Sequence, residues 1–115
     1  MKVVLCEGVR GELQALPKSE RMAMYKALER LELHGDSMGY PHTSAVQGTS
    51  STLREIQPRA GRSAWRAFYR RVGAELVVGS IDPEAMTNPA RFRRSVNLAL
   101  TRLNEYQQEE GFSNG

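Results

Sequence analysis

The 115-residue chain has one cysteine, Cys6, three lysines and two histidines. A lone thiol forms no internal disulfide, and His34 and His42 without a second cysteine make no metal cage, so neither a metal nor a cofactor is expected. No stretch approaches the roughly 18 consecutive apolar residues of a membrane span, and the apolar run within MKVVLCEGVRGE is too short for a signal peptide. These absences lead us to expect a cytoplasmic protein that does not engage membranes. A chain this short has interior enough for a single core.

Positive charge is carried by arginine, which supplies thirteen of the sixteen basic side chains. The net charge is only +3, but it is unevenly spread. Residues 1–50 hold six basic and six acidic side chains, and residues 105–115 hold three acids and no base. All the excess lies in 51–104, where ten arginines meet four acids. That asymmetry points to a polyanion or an acidic protein as partner, and arginine's planar fork suits phosphate and carboxylate. A solvated arginine-rich surface is the plainer reading.

Patterning along the chain predicts an α+β fold. KVVLC suits an edge strand. EGVRGELQAL carries a short helix that Pro17 interrupts. Ser19 is the expected N-cap of a second helix, with Met24, Tyr25, Leu28 and Leu31 at helical spacing and Gly35 at its end. Residues 36–51 lose periodicity and read as a loop. TLREIQ, SAWRAFYRRV and ELVVGSI read as three strands joined by the turn PRAGRS and by Gly73–Ala74, an antiparallel meander. Asn88 and Pro89 then start a helix whose Phe92, Val96, Ala99, Leu100, Leu103 and Tyr106 share one face. One domain over 1–106 follows, with 107–115 a polar tail expected to be disordered.

The segment RAGRSAWRAFYRR (59–71) contains five arginines and three aromatic rings with no acid and no lysine. Strand alternation puts Arg66, Phe68 and Arg70 on one face and Trp65, Ala67 and Tyr69 on the other. On the preceding strand Leu53, Glu55 and Gln57 share a face opposite Arg54 and Ile56. With Trp65, Ala67 and Tyr69 as core, Arg66 and Arg70 face solvent beside Phe68, a ring between two guanidinium groups that would suit an unstacked base and its phosphates. Arg59 and Arg62 in the turn extend this basic face. Salt bridges to Glu55, Glu75 or a partner account for the same residues without RNA.

TLREIQPRAGRSAWRAFYRR, followed by a short hairpin, ELVVGSI and an amphipathic helix, resembles the RelE/HigB superfamily of type II toxins, in particular its phage-derived, HigB-like branch. The earlier GYPHT and QG are similar to the loop before the second strand in that branch. The resemblance implies a small RelE-like fold, a twisted, mostly antiparallel sheet with the N-terminal helices packed on one face and a C-terminal helix. It also implies metal-independent cleavage of messenger RNA, often on the ribosome, and neutralisation by a cognate antitoxin, a small helix-turn-helix protein. The reaction needs a base for the ribose 2′-hydroxyl, cations for the phosphorane-like transition state and an acid for the leaving oxygen. By resemblance, Arg66 stabilises the transition state with Arg62 and Glu55 as its catalytic companions, Glu55 matching a glutamate common in this branch that either accepts a proton or holds an arginine in place. Arg54, Arg59, Arg70, Phe68 and His42 are the implied RNA-binding residues. The chain departs from the family at SIDPEAMTNP, which carries Asp82 and Glu84 where many members have lysine or histidine, and at Gln57, where arginine is frequent. A non-catalytic module holding RNA or a protein through its arginine face is therefore the alternative.

Overall fold

The computed structural model describes residues 1–46, 52–83 and 87–110. It runs β1 (Lys2–Leu5), α1 (Val9–Gln14), α2 (Lys18–His34), β2 (Thr43–Ala45), β3 (Arg54–Ile56), β4 (Trp65–Val72), β5 (Glu75–Pro83) and α3 (Pro89–Glu109), with short 3₁₀ turns at Gly35–Ser37 and Pro58–Gly61. The strands form one sheet in the order β1-β5-β4-β3-β2. β1 is parallel to β5, and the other pairs are antiparallel. This is the expected α+β architecture with its mostly antiparallel sheet. Among the described residues no helix is long and apolar enough to cross a membrane.

Local chemistry explains most of the element boundaries. Gly73, at φ 61, makes the tight reversal between β4 and β5 and brings Val72 opposite Glu75. Asn88 accepts the amide of Arg91 on its side chain while Pro89 fills the first turn of α3, where a missing N–H costs nothing. Gly35, at φ 55, ends α2 as expected. The start of α2 differs from expectation: Pro17 is the cap, its carbonyl accepting the amide of Arg21, and Ser19 lies inside the helix. Proline's fixed φ already sets the entry of the chain, so a serine cap is unnecessary. β2 also differs, because a three-residue strand occupies part of the stretch read as loop. Finally, α3 continues to Glu109, into the stretch read as tail, and residues 111–115 lie outside the described ones.

Both faces of the sheet are covered, which corrects the expectation of a solvent-facing arginine surface. α3 lies over the face that carries Phe68 and Ser80. Phe68 is fully buried and meets Phe92 edge-on, with ring centroids 5.4 Å apart. Ser80 donates to the Ser95 carbonyl at 2.8 Å, and Tyr106 hydrogen-bonds Glu75. Burying a phenylalanine contributes about 1.5–3 kcal/mol, and an edge-on pair about 0.5–1.5 more. The opposite face presents Ile56, Ala67, Tyr69, Leu76, Val78 and Ile81, all buried. Val9 and Leu13 of α1 with Met24, Ala27 and Leu31 of α2 supply the apolar cover there.

One edge problem is solved by charge. β1 pairs with β5 only across Glu75–Val78, so the next residues of β5 have no strand on that side. Glu12 of α1 accepts the Ile81 amide at 2.9 Å, while Arg102 of α3 donates to the Gly79 carbonyl at 3.0 Å and to Glu12 at 2.6 Å. A single ion pair thus satisfies a donor and an acceptor that would otherwise be orphaned.

Candidate functional site

The turn before β4 determines where the arginines go. Arg59, Ala60 and Gly61 have φ of 56, 54 and 91, three left-handed residues in succession, two of them not glycine. Such conformations cost on the order of 1–3 kcal/mol each unless their surroundings enforce them. Here Glu20 of α2 accepts Arg59 Nη1 at 2.7 Å and the Ser63 hydroxyl at 2.8 Å, tying both ends of the turn to the helix. Arg66 ties it from within. Its Nη1 donates to the carbonyls of Ser63 (2.5 Å) and Trp65 (2.9 Å), and its Nη2 reaches the Gly61 carbonyl at 3.5 Å.

Arg66 is therefore buried, 7 % exposed, and braces the turn instead of lying open on the sheet. Its Nε stands 3.9 Å from Glu55 Oε1. Around that carboxylate gather Ser44, whose hydroxyl donates to it at 3.3 Å, and Gln57, which donates to it at 3.2 Å and to Ser44 at 2.5 Å. The register explains the grouping: Ser44 is opposite Glu55, and Glu55 is opposite Phe68, two residues along from Arg66 on the same face. Beyond Arg66 the register sets Asp82 directly opposite it. Asp82 pairs with Arg91 of the first turns of α3 at 2.5 Å, and that guanidinium also lies 5.9 Å from the centroid of the Trp65 ring. Burial raises the Asp82 pKa above its ordinary value, with Glu12 adding to the rise and Arg91 and Arg94 opposing it.

The remaining expected residues are placed apart from this cluster. Arg54 points to the other face, where it donates to the Tyr69 and Thr43 hydroxyls at 3.4 and 2.9 Å. Arg70 lies against α3 and donates to Asn104 at 3.2 Å and Gln107 at 2.6 Å; burial lowers its pKa. Arg62 is exposed, its Nε held by the Arg59 carbonyl at 3.1 Å. His42 Nδ1 meets Arg30 Nη1 at 3.1 Å. Because a guanidinium only donates, that ring nitrogen is the acceptor. Phe68 offers no ring face to a base, since α3 covers it. The arginines thus do not gather into one cleft; Glu55 and Arg66 do come together.

Sequence reasoning did not pick out Ser44, Gln57, Asp82 or Arg91 as members of one cluster. Alternation already paired Gln57 with Glu55, but Ser44 needed a strand too short to show periodicity. Asp82 needed a register shift: β5 carries an irregularity opposite Phe68 and Tyr69, without which Ile81 would face Arg66. Among the described residues no group of three or more His, Cys, Asp or Glu side chains could hold a metal ion.

A small mixed sheet sandwiched between helices thus brings a glutamate and a buried arginine together on adjacent strands. Residues 11–78 match the family model described as "Phage derived protein Gp49-like (DUF891)". The chain belongs to this phage-derived, toxin-like family, which is RelE/HigB-like in general. It has no match among the curated proteins.

Proposed function

We propose that the protein is the toxin of a type II toxin–antitoxin pair, of the HigB-like branch, and cuts messenger RNA in the cytoplasm without a metal. Its partners in this reading are mRNA, engaged free or on the ribosome, and a cognate antitoxin with a helix-turn-helix fold. The observation that carries the reading is the meeting of Glu55 and Arg66 on adjacent strands of a Gp49-like fold. Glu55 would take the proton of a ribose 2′-hydroxyl as that oxygen attacks the adjacent phosphorus; the bond from phosphorus to the 5′-oxygen then breaks, leaving a 2′,3′-cyclic phosphate, and the departing oxygen takes a proton from the protonated Glu55 or from water. Cationic groups then face the charge of the five-coordinate phosphorus, a role this reading gives to Arg62, which is exposed, and to Arg91, which is half-exposed. Arg66 acts as a positioning residue, holding the turn with one end and lying 3.9 Å from the carboxylate with the other.

A second reading is favoured by one observation: Arg59, Arg66 and Arg70 are each engaged by groups of the protein itself. A non-catalytic module that binds RNA or a protein would tolerate this arrangement. Glu55→Gln separates the two, since it keeps the size of the side chain and removes the base. With purified protein, RNA and ribosomes, Glu55→Gln should cut on the order of 10²–10⁴-fold more slowly, with an unchanged melting curve. Equal cutting would remove Glu55 from the mechanism, and no cutting by the unaltered protein would leave the binding module.

A further inference from the structure

A cavity of about 400 Å³ opens between the end of α1, the far ends of β4 and β5, and α3. Leu16, Ile81 and Leu98 give it apolar walls, Trp65 lies along one side, and Asp82 and Arg91 stand at its polar end. Leu98 is 41 % exposed, a large apolar side chain left facing this space. We propose that the cavity is a nucleobase subsite, selective for guanine, beside the Glu55–Arg66 cluster.

Three features of the cavity support a planar, edge-polar ligand. First, the Arg91 guanidinium lies over the Trp65 ring, 5.9 Å from its centroid. Stacked bases lie about 3.4 Å apart, so a base between ring and guanidinium needs roughly 7 Å. Arg91 is 46 % exposed at its side chain and would retreat by about 1 Å to provide it. Tryptophan and arginine on either side of a base form the stacking platform that single-stranded RNA uses.

Second, the group at the polar end is a carboxylate. Arg91 meets it at Oδ1, which is buried, so Oδ2 and its two acceptor sites are what a ligand can reach. Guanine alone among the four bases sets two adjacent donors, N1–H and the N2 amino group, on its pairing edge. Adenine and cytosine place an acceptor next to their amino group, and uracil flanks its single N–H with two carbonyls, so each brings a lone pair against the aspartate. Glu12, at the same cavity, is already committed to the Ile81 amide and Arg102, which leaves Asp82 as the reader.

Third, the cavity adjoins the proposed chemistry. Asp82 is the direct cross-strand neighbour of Arg66, and such neighbours have Cβ atoms about 4.5–5.5 Å apart. A base on Trp65 would thus lie beside the strand position that carries Arg66. The subsite rests on the RNA-directed reading for its biological ligand, but its test needs no cleavage.

Trp65 is the only tryptophan in the chain, so its fluorescence reports this cavity alone. The unaltered protein is titrated with GMP, AMP, CMP, UMP and inorganic phosphate. GMP should quench the emission saturably and at least tenfold more tightly than the other nucleotides, with no response to phosphate. Asp82→Asn should erase that preference, weakening GMP by about 10- to 100-fold because a charged acceptor is lost. Arg91→Gln should weaken all four nucleotides without changing their order. Absent quenching, equal quenching by the four nucleotides, a response to phosphate matching that to GMP, or undiminished GMP binding in Asp82→Asn would each overturn the subsite. GMP binding by a protein that never cuts RNA would sink the endoribonuclease and leave the subsite; unselective nucleotide binding by a protein that does cut would do the reverse.

Discussion

Gly79→Ala is the substitution to which the packing of α3 should be most sensitive. A Cβ built on Gly79 lies 2.9 Å from the Cα, the Cβ and the carbonyl oxygen of Ala99. Two of those three atoms are backbone, so no side-chain rotation relieves the contact. The backbone of Gly79 is itself outside the left-handed region, and alanine there recovers about 0.5–1 kcal/mol of strand entropy that glycine forgoes. Against that gain, α3 must withdraw by roughly 0.5–1 Å, which forfeits a quarter to a half of each affected contact. Overpacking of this kind costs about 1–3 kcal/mol. With helix backbone on the other side the cost should lie near the top of that range, leaving a net loss of about 2 kcal/mol. For a domain of this length that corresponds to a melting temperature lower by about 5–10 °C, read by circular dichroism. Ala99→Gly should fail to rescue it, because the Cα and carbonyl remain and a helix-interior glycine costs about 1 kcal/mol more. A Gly79→Ala protein melting within about 1 °C of the original, or full rescue by Ala99→Gly, would refute the close approach of α3 to β5.

Two further outcomes follow from polar groups. Glu12→Ala should cost about 1–3 kcal/mol by stranding the Ile81 amide, whereas Glu12→Gln keeps an acceptor and should cost less. Hydrogen exchange at Ile81 checks this: it should quicken in the alanine variant and change little in the glutamine one. Asp82 has a folded-state pKa above its ordinary 3.8, so its protonated form is the better tolerated in the folded protein. Its favourable contribution is therefore complete below pH 3.8 and is lost as the pH rises through the raised value. Asp82→Asn should flatten that part of the stability curve in denaturant titrations, and an unaltered slope would show that burial does not govern this carboxyl.

Much of the architecture was legible in the sequence because local chemistry and periodicity agreed. The Asn88–Pro89 start of α3, the Gly73–Ala74 reversal and Gly35 at the end of α2 each combine a special residue with a change of pattern. The face of β4 was not legible, since Arg66, Phe68 and Arg70 alternate with Ala67 and Tyr69 and either set could be core. What decides is α3, which brings Phe92 to Phe68 from 24 residues away and Gln107 to Arg70 from 37. The cluster around Glu55 was half visible for the same reason. Glu55 and Gln57 share a strand, while Ser44, Asp82 and Arg91 arrive by a three-residue strand, a register shift and a helix terminus, none of which leaves a periodic trace.

The parallel pairing of β1 with β5 has a consequence for how the protein comes into being. The first strand made must wait for the last before it can be zipped into place, and the Glu12–Arg102 clasp closes over that junction from 90 residues away. A nascent chain that has not yet reached β5 and α3 has neither partner, so its early apolar segments stay within reach of chaperones and proteases during translation. Interrupted synthesis should then yield degradable fragments, and the folded domain should emerge abruptly, only once α3 has been made.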